Sequence, residues 1–108
     1  MLKKGTVVLT PFPFTDLTGD KVRPAIIISE KLKGSDVVVL FMTTQKKLGL
    51  SHLVSVQPTV DNGLKAVSKV VCSKIATLDK KVIIGELGTL EKAPLIKISK
   101  ELKTILNL

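Results

Sequence analysis

The stretch VRPAIIIS, residues 22–29, joins a polar segment to an unbroken apolar run. Its three consecutive isoleucines are β-branched, and a short apolar run bounded by turn residues is typical of a strand that is buried on both faces. We therefore predict a buried strand over residues 25–29. Arg23 stands just before this strand and is the only arginine among the 17 Lys and Arg residues of the chain.

On both sides of this stretch, short β-branched segments alternate with turn signals, which is the pattern of a small barrel or sandwich. Further strands are predicted over residues 6–10, 37–44, 52–57, 68–75 and 82–87. The segments between them contain Pro, Gly or clustered polar residues and are predicted to be loops, of which the two longest polar ones cover residues 11–21 and 45–51.

The hydrophobic period changes near the end of the chain. Apolar residues recur there at helical spacing, at Leu95, Ile98, Leu102, Ile105 and Leu106. Pro94 fits the first turn of such a helix, where its missing N–H costs nothing. We predict a mainly β fold, a small and strongly curved antiparallel barrel of five or more strands that is closed by one C-terminal α-helix.

Length and composition limit the organisation of the chain. Its 108 residues are enough for one domain, which we place at residues 1–108. Since 44% of the residues are hydrophobic, part of the apolar surface is expected at a subunit interface, most simply that of a homodimer. The lone Cys72, the absence of a signal peptide and the absence of an 18-residue apolar run predict a soluble protein in the reducing cytoplasm, away from membranes.

Charge and motif content narrow the function. The formal net charge of +8 favours an anionic partner such as nucleic acid or an acidic protein segment. One His and one Cys give no metal-ligand spacing, and neither phosphate-binding glycine motif is present. His52 is a weak candidate for a catalytic triad because it opens a predicted strand, and Asp16 and Asp20 flank a loop glycine as turn residues do. No metal or cofactor is therefore predicted.

Several motifs of the chain resemble the PemK/MazF family of toxin endoribonucleases. Residues 5–9 (GTVVL), 11–19 (PFPFTDLTG) and 23–27 (RPAII) resemble its N-terminal signature. Residues 41–45 (FMTTQ) resemble its third-strand motif, residues 68–80 (SKVVCSKIATLDK) resemble its S-V-V … D/E-Q-I-R-T-I-D-K block, and residues 84–87 (IGEL) with the C-terminal helix match its ending. The resemblance covers nearly the whole chain in the right order.

This resemblance implies a fold and an activity. The fold would be an SH3-like barrel with a C-terminal helix, assembled as a homodimer. The activity would be metal-independent, sequence-selective cleavage of single-stranded RNA, usually mRNA, by attack of a 2′-hydroxyl on the neighbouring phosphate. The products would carry a 2′,3′-cyclic phosphate and a 5′-hydroxyl, and the growth-inhibiting toxin would be neutralised by an acidic, partly disordered antitoxin.

The resemblance also implies a set of site residues. The catalytic arginine of the family corresponds to Arg23, and its catalytic threonine corresponds to Thr43, or to Thr44 if the register slips by one residue. The two flanking loops are expected to bind RNA through Thr15, Thr18, Asp20, Lys21, Thr44, Gln45, Lys46 and Lys47. Position 6 is Thr where the family commonly has Asp, and the general base is unassigned.

Two alternatives involve no catalysis. The related CcdB family uses the same barrel to poison gyrase by protein contact, through a C-terminal Trp that this chain lacks. A small basic barrel can also simply bind nucleic acid. A passive binder would tolerate the exchange of Arg23 for Lys, whereas a nuclease that depends on the planar guanidinium would not.

Overall fold

A computed structural model describes residues 2–11, 22–30, 32–46 and 49–108. Six strands and one α-helix follow one another along the chain: β1 (Thr6–Pro11), β2 (Val22–Ile27), β3 (Asp36–Thr43), β4 (Leu53–Val56), β5 (Ser68–Asp79), β6 (Gly85–Thr89) and α1 (Lys92–Leu106). The strands form one antiparallel sheet in the order β4-β5-β3-β2-β1-β6, which curls into a half-barrel. The predicted fold class is therefore confirmed.

The central strand β2 begins at Val22, three residues before the predicted start, and so it includes a proline. Pro24 pairs with Leu9 of β1, but the ladder between β2 and β3 begins only at Ala25, which pairs with Phe41. A proline has no N–H to donate and is tolerated in a sheet where one side of its strand is unpaired. Pro24 thus fits β2 because the strand has no ladder to β3 at that level.

The strand β5 is longer than predicted because it changes its partners midway. Its first part pairs with β3 and β4, whereas residues 75–79 pair with β3 alone. Phe41 pairs with Val71, but the preceding Leu40 pairs with Ile75, so residues 72–74 form a bulge in β5. Such a bulge bends a strand and increases its twist, which gives this sheet its curvature.

The last strand starts later than predicted, at Gly85 and not at residue 82. Residues Lys80–Val82 form a short 3₁₀-helix, and the Asp79 side chain accepts a hydrogen bond from the Lys81 N–H at 2.9 Å. An aspartate that caps a helical turn in this way diverts the backbone from the extended conformation.

Two hydrophobic clusters lie on opposite faces of the sheet. Ile26 belongs to the cluster that packs under α1, and its neighbour Ile27 belongs to the other cluster. Both side chains are fully buried, which confirms the prediction of burial on both faces. The helix contributes the buried Ile98, but Leu106 is 51% exposed, contrary to the prediction that it shares this face. Eight residues at 3.6 per turn place Leu106 about 80° around the axis from Ile98.

A fully buried asparagine connects the loop after β4 to the start of α1. The Asn62 side-chain oxygen accepts hydrogen bonds from the Thr59 and Leu64 N–H groups, both at 3.0 Å. Its amide nitrogen donates to the Gln57 carbonyl at 2.9 Å and to Glu91 at 3.1 Å. Each polar position of this amide is therefore used, which is the condition under which a buried asparagine stabilises a fold.

The carboxylate of Glu91 belongs to the same network. The Thr59 hydroxyl donates to Glu91 at 2.5 Å and accepts from the Asn62 N–H at 3.0 Å. The hydrogen bond from Thr59 is the main reason why the pKa of Glu91 lies below its usual value, and the Asn62 amide adds to the effect. Ionisation of Glu91 is therefore coupled to the folded state.

Thr10 differs from Asn62 in that its buried polar group is not satisfied. Its side chain is fully buried in β1, and within the described part of the chain its hydroxyl has no hydrogen-bond partner. Thr6, on the same strand, is also buried, but its hydroxyl accepts a hydrogen bond from the Lys3 N–H at 3.2 Å. A buried hydroxyl without a partner costs desolvation energy and gains nothing in return.

We expect Asn62→Ala to lower the free energy of unfolding by about 3 kcal/mol, because several buried donors and acceptors would lose their partner at once. The measurement is urea denaturation of the wild type and the variant. Gln57→Ala is the control, since the exposed Gln57 side chain should contribute less than about 0.5 kcal/mol. A loss below about 1 kcal/mol for Asn62→Ala would contradict this account.

Glu91→Gln should remove a pH dependence of stability. Because the pKa of Glu91 is lowered by folding, its contribution is fully present above the pKa of the unfolded chain, about 4.3, and is lost as the pH falls through the lower pKa of the folded state. The stability difference between wild type and Glu91→Gln should therefore shrink between pH 6 and pH 3, measured by urea denaturation at each pH. A difference that stays constant over this range would refute the coupling.

Thr10→Val should raise the free energy of unfolding by about 1 kcal/mol, because valine has nearly the shape of threonine and removes a buried hydroxyl that lacks a partner. The matched change Thr6→Val should have the opposite sign, since it leaves the Lys3 N–H without its acceptor. Thermal denaturation of both variants gives the comparison. A melting temperature below wild type for Thr10→Val would show that its hydroxyl has a stabilising role.

Candidate functional site

A row of polar side chains crosses one face of the sheet, one residue from each of five strands. Thr10 pairs with Arg23, Thr43 pairs with Lys69, and Lys69 pairs with Ser55. Ala25 of β2 pairs with Phe41 of β3, and continuing this antiparallel register by two residues places Arg23 level with Thr43. Because residues two apart on a strand share a face, all five residues lie on one face, and we call this set the polar row.

The middle of the polar row lies where the ladder between β2 and β3 is interrupted. Arg23 and Thr43 are both half-buried and stand just outside the last paired residues, Ala25 and Phe41. Both of those residues are buried, so the backbone beneath the site is fixed by the core. Since the two strands are not joined by ladder bonds at this level, their backbone groups do not satisfy each other here.

The Thr43 hydroxyl is held by the backbone that follows it. Its oxygen accepts a hydrogen bond from the Gln45 N–H at 3.1 Å, in a turn of the kind that Ser and Thr form with the second residue after them. This bond uses a lone pair of the oxygen and leaves the hydroxyl proton free to be donated. The side chain can therefore offer an oriented donor to an anion that lies on this face.

Thr44, the alternative catalytic threonine, has a different environment. It is exposed and lines a cavity of about 260 Å³ together with Leu9, Pro24 and Ser68. Leu9 and Pro24 alternate with Thr10 and Arg23, so they face the opposite side of the sheet. Thr43 therefore shares the face of Arg23, whereas Thr44 lines a cavity on the other face.

The other sequence-predicted residues fall into two groups. Gln45 and Lys46 are exposed and directly follow the strand that carries Thr43. The remaining predicted RNA-binding residues, Thr15, Thr18, Asp20, Lys21 and Lys47, lie outside the described residues.

Sequence reasoning missed three members of the polar row, namely Thr10, Lys69 and Ser55. Alternation within each strand assigns them to a face, but only the pairing register shows that this is the face of Arg23. A polar residue between apolar neighbours, as Ser55 is between Val54 and Val56, was the signal available in the sequence.

The lone Cys and His of the chain lie apart from the polar row and form no nucleophilic centre. Burial, with a smaller contribution from the negative charge of Glu101, raises the pKa of Cys72 to about 11, so its thiol is protonated at neutral pH and a poor nucleophile. His52 Nδ1 lies 2.7 Å from Glu101 Oε1 of α1, a contact that joins the start of β4 to the helix. Across the described ranges, no three His, Cys, Asp or Glu residues come together as metal ligands.

With 15 residues, α1 is too short to span a membrane, and the described part of the chain has no other α-helix that could do so.

Comparison with solved structures shows the same architecture in toxins of two bacterial groups. An endoribonuclease of a mycobacterial species, solved with its cognate antitoxin, is 28% identical with a TM-score of 0.77, and the alignment covers 98% of this chain and 95% of that chain. The Mycobacterium tuberculosis toxin MazF-mt6 is 22% identical with a TM-score of 0.75, over 95% and 97% of the two chains. MazF of Deinococcus radiodurans is 19% identical with a TM-score of 0.78, over 98% and 96%.

Comparison with curated protein sequences gave no match. The family model for the PemK-like, MazF-like toxin of type II toxin–antitoxin systems matches residues 3–106, which is nearly the whole chain. Because this model matches nearly the whole chain, the chain belongs to the PemK/MazF family of toxins.

Proposed function

We propose that this protein is a sequence-selective, metal-independent endoribonuclease toxin that cleaves single-stranded RNA, in particular mRNA, and so inhibits translation and growth. The observation that carries the proposal is the position of Arg23, the only arginine of the chain, level with Thr43 at the interruption of the ladder between β2 and β3. Membership of the toxin family and the likeness to an endoribonuclease that is 28% identical support it.

In the proposed reaction, the 2′-oxygen of a ribose attacks the adjacent phosphorus, the bond from phosphorus to the 5′-oxygen breaks, and a 2′,3′-cyclic phosphate forms. The 2′-hydroxyl gives up a proton and the departing 5′-oxygen takes one up, so the products are balanced without a water molecule. The phosphate oxygens gain negative charge during the attack, and this charge is what the protein must stabilise.

Arg23 would provide this stabilisation. Its guanidinium is planar, stays protonated and can direct two N–H groups at two phosphate oxygens, which a lysine cannot do. The Thr43 hydroxyl would donate a hydrogen bond to a phosphate oxygen, since the Gln45 N–H orients that hydroxyl. The polar row contains no carboxylate, so the group that accepts the 2′-hydroxyl proton is unassigned.

The proposed function also implies a second copy of the chain and an antitoxin as partners. We propose a homodimer and a cytoplasmic location, as the family resemblance implies. An acidic, partly disordered antitoxin would compete with RNA for the basic surface, because both partners are anionic and the chain carries a net charge of +8. The mycobacterial relative that was solved with its cognate antitoxin supports this partner class.

Arg23→Lys is expected to reduce RNA cleavage by about 10² to 10³-fold, because a point charge replaces the planar fork that faces the developing negative charge. The assay incubates a long, sequence-diverse single-stranded RNA with protein in EDTA and maps the fragment ends. The wild type should give discrete cuts with 2′,3′-cyclic phosphate and 5′-hydroxyl ends. Lys100→Ala, which removes an exposed charge from α1, should cut like the wild type.

Different results would refute different parts of the proposal. If Arg23→Lys binds and cuts RNA as well as the wild type, the guanidinium is not catalytic. If the wild type binds RNA without cutting it, the protein is a passive nucleic-acid-binding module. If the wild type neither binds nor cuts RNA, its basic surface should be tested against protein partners. Cuts that appear only after addition of a divalent cation would keep the nuclease but refute the metal-independent mechanism.

A further inference from the structure

Lys69 lies beside Thr43 on the side that faces away from Arg23. It pairs directly with Thr43 across β3 and β5, so their Cβ atoms are about 5 Å apart, as in any directly opposed antiparallel pair. Arg23 stands one strand further, on β2, at the same level. The central threonine of the polar row is therefore flanked by a cation on each neighbouring strand.

The ammonium group of Lys69 is directed toward the segment that follows β3. Its Nζ donates to the Lys46 carbonyl oxygen at 3.2 Å, and the side chain is half-buried. This bond uses one of the three N–H donors of the ammonium, so two remain for a ligand. The lysine is thus held in place and still able to bind an anion.

The partners available to Lys69 within the described residues do not neutralise its charge. Its two cross-strand neighbours, Thr43 and Ser55, are uncharged, and the Lys46 contact is to a backbone carbonyl. A solvated surface lysine usually makes no fixed contact or pairs with a nearby carboxylate. An anchored lysine with no carboxylate among these partners, in line with a candidate phosphate site, is better explained by an anionic ligand.

The spacing indicates which phosphate this would be. Hydrogen-bonded strands lie about 4.8 Å apart, and β2 and β3 have no ladder at the level of Arg23, so the backbones that carry Arg23 and Lys69 are at least about 10 Å apart, with Thr43 between them. The contact of Lys69 with Lys46 draws its ammonium further along the segment after Thr43. A phosphate held by Arg23 and Thr43 therefore leaves Lys69 beside the next phosphate of an RNA strand that runs along the polar row.

We propose that Lys69 binds the phosphate next to the scissile one and thereby fixes the position of the RNA along the polar row. The proposal rests on the proposed function, because it takes the scissile phosphate to lie at Arg23 and Thr43. It makes Lys69 a positioning residue that acts on substrate binding, with Arg23 and Thr43 acting on the reaction.

The test measures binding separately from cleavage. An RNA with the 2′-hydroxyl at the cleavage site replaced by hydrogen cannot be cut, and its affinity is measured by fluorescence anisotropy over a series of salt concentrations. Lys69→Met should weaken binding and make the slope of log affinity against log salt shallower by about 0.7, the value for one phosphate of a single strand. Lys69→Arg should restore the slope, and Lys100→Met, an exposed lysine of α1, should leave it at the wild-type value.

A second arm identifies the phosphate. A methylphosphonate, which carries no charge, replaces one phosphate at a time on either side of the cleavage site. At the phosphate that Lys69 binds, this change should weaken wild-type binding as much as Lys69→Met does, and it should add nothing in Lys69→Met. Cleavage of the normal RNA by Lys69→Met should show a raised KM, with kcat within about threefold of the wild type.

The outcomes separate this proposal from the nuclease proposal. The role of Lys69 would be overturned, even if the wild type cuts RNA, by a salt slope that is unchanged in Lys69→Met. It would also be overturned if methylphosphonates at every position weaken RNA binding by Lys69→Met as much as they weaken binding by the wild type. A loss of kcat with an unchanged slope would assign Lys69 to the folding of the segment after β3 alone. A wild type that binds but does not cut would refute the nuclease and the place of Lys69 beside a scissile phosphate, while the salt slope of Lys69→Met would still show whether Lys69 contacts a phosphate. Circular dichroism of each variant verifies the fold, and Lys69→Gln serves if Lys69→Met is unfolded.

Discussion

A proline in an interior strand is the constraint on which the rest of this structure depends. Pro24 has no N–H, so the strand that contains it is accommodated where the ladder to β3 has not yet begun. The buried Ala25 and Phe41 close the sheet one step further on. Arg23 and Thr43 lie just outside this pair, where the two strands are no longer joined, and the buried core next to them fixes the backbone that carries them. The proline that lies where the ladder to β3 is absent therefore directly follows the candidate catalytic arginine.

Stability and function occupy different parts of the molecule. The network of Asn62, Thr59 and Glu91 satisfies its buried polar atoms and joins the loop after β4 to α1, and it includes no residue of the polar row. The polar row instead contains a buried hydroxyl without a described partner, at Thr10, and a cation on each side of Thr43. Groups that cost folding energy are typical of sites kept for binding or catalysis.

The sequence was sufficient to predict the fold class, the buried strand that follows Arg23, and the helical face of Ile98, because each depends on local composition and period. It could not predict that β2 starts before Pro24 or that β5 continues past Ile75, since both depend on which strand lies alongside. The role of Lys69 depends on the same information: its alternation was visible, but its position opposite Thr43 follows from a register set by the bulge at residues 72–74. The features that the sequence analysis missed depend on which strands pair and in which register, and local strand propensity does not determine these.

The contact between His52 and Glu101 joins the segment that follows Thr43 to a helix on the other side of the core. His52 has a left-handed backbone conformation, with φ of 59°, which costs a residue with a Cβ about 1–2 kcal/mol unless its surroundings compensate. If α1 detaches from the sheet, the histidine loses its carboxylate partner and the strained turn before β4 loses its support. The helix and this turn therefore form one cooperative opening unit, whose backbone amides would exchange with solvent together and before those of β3.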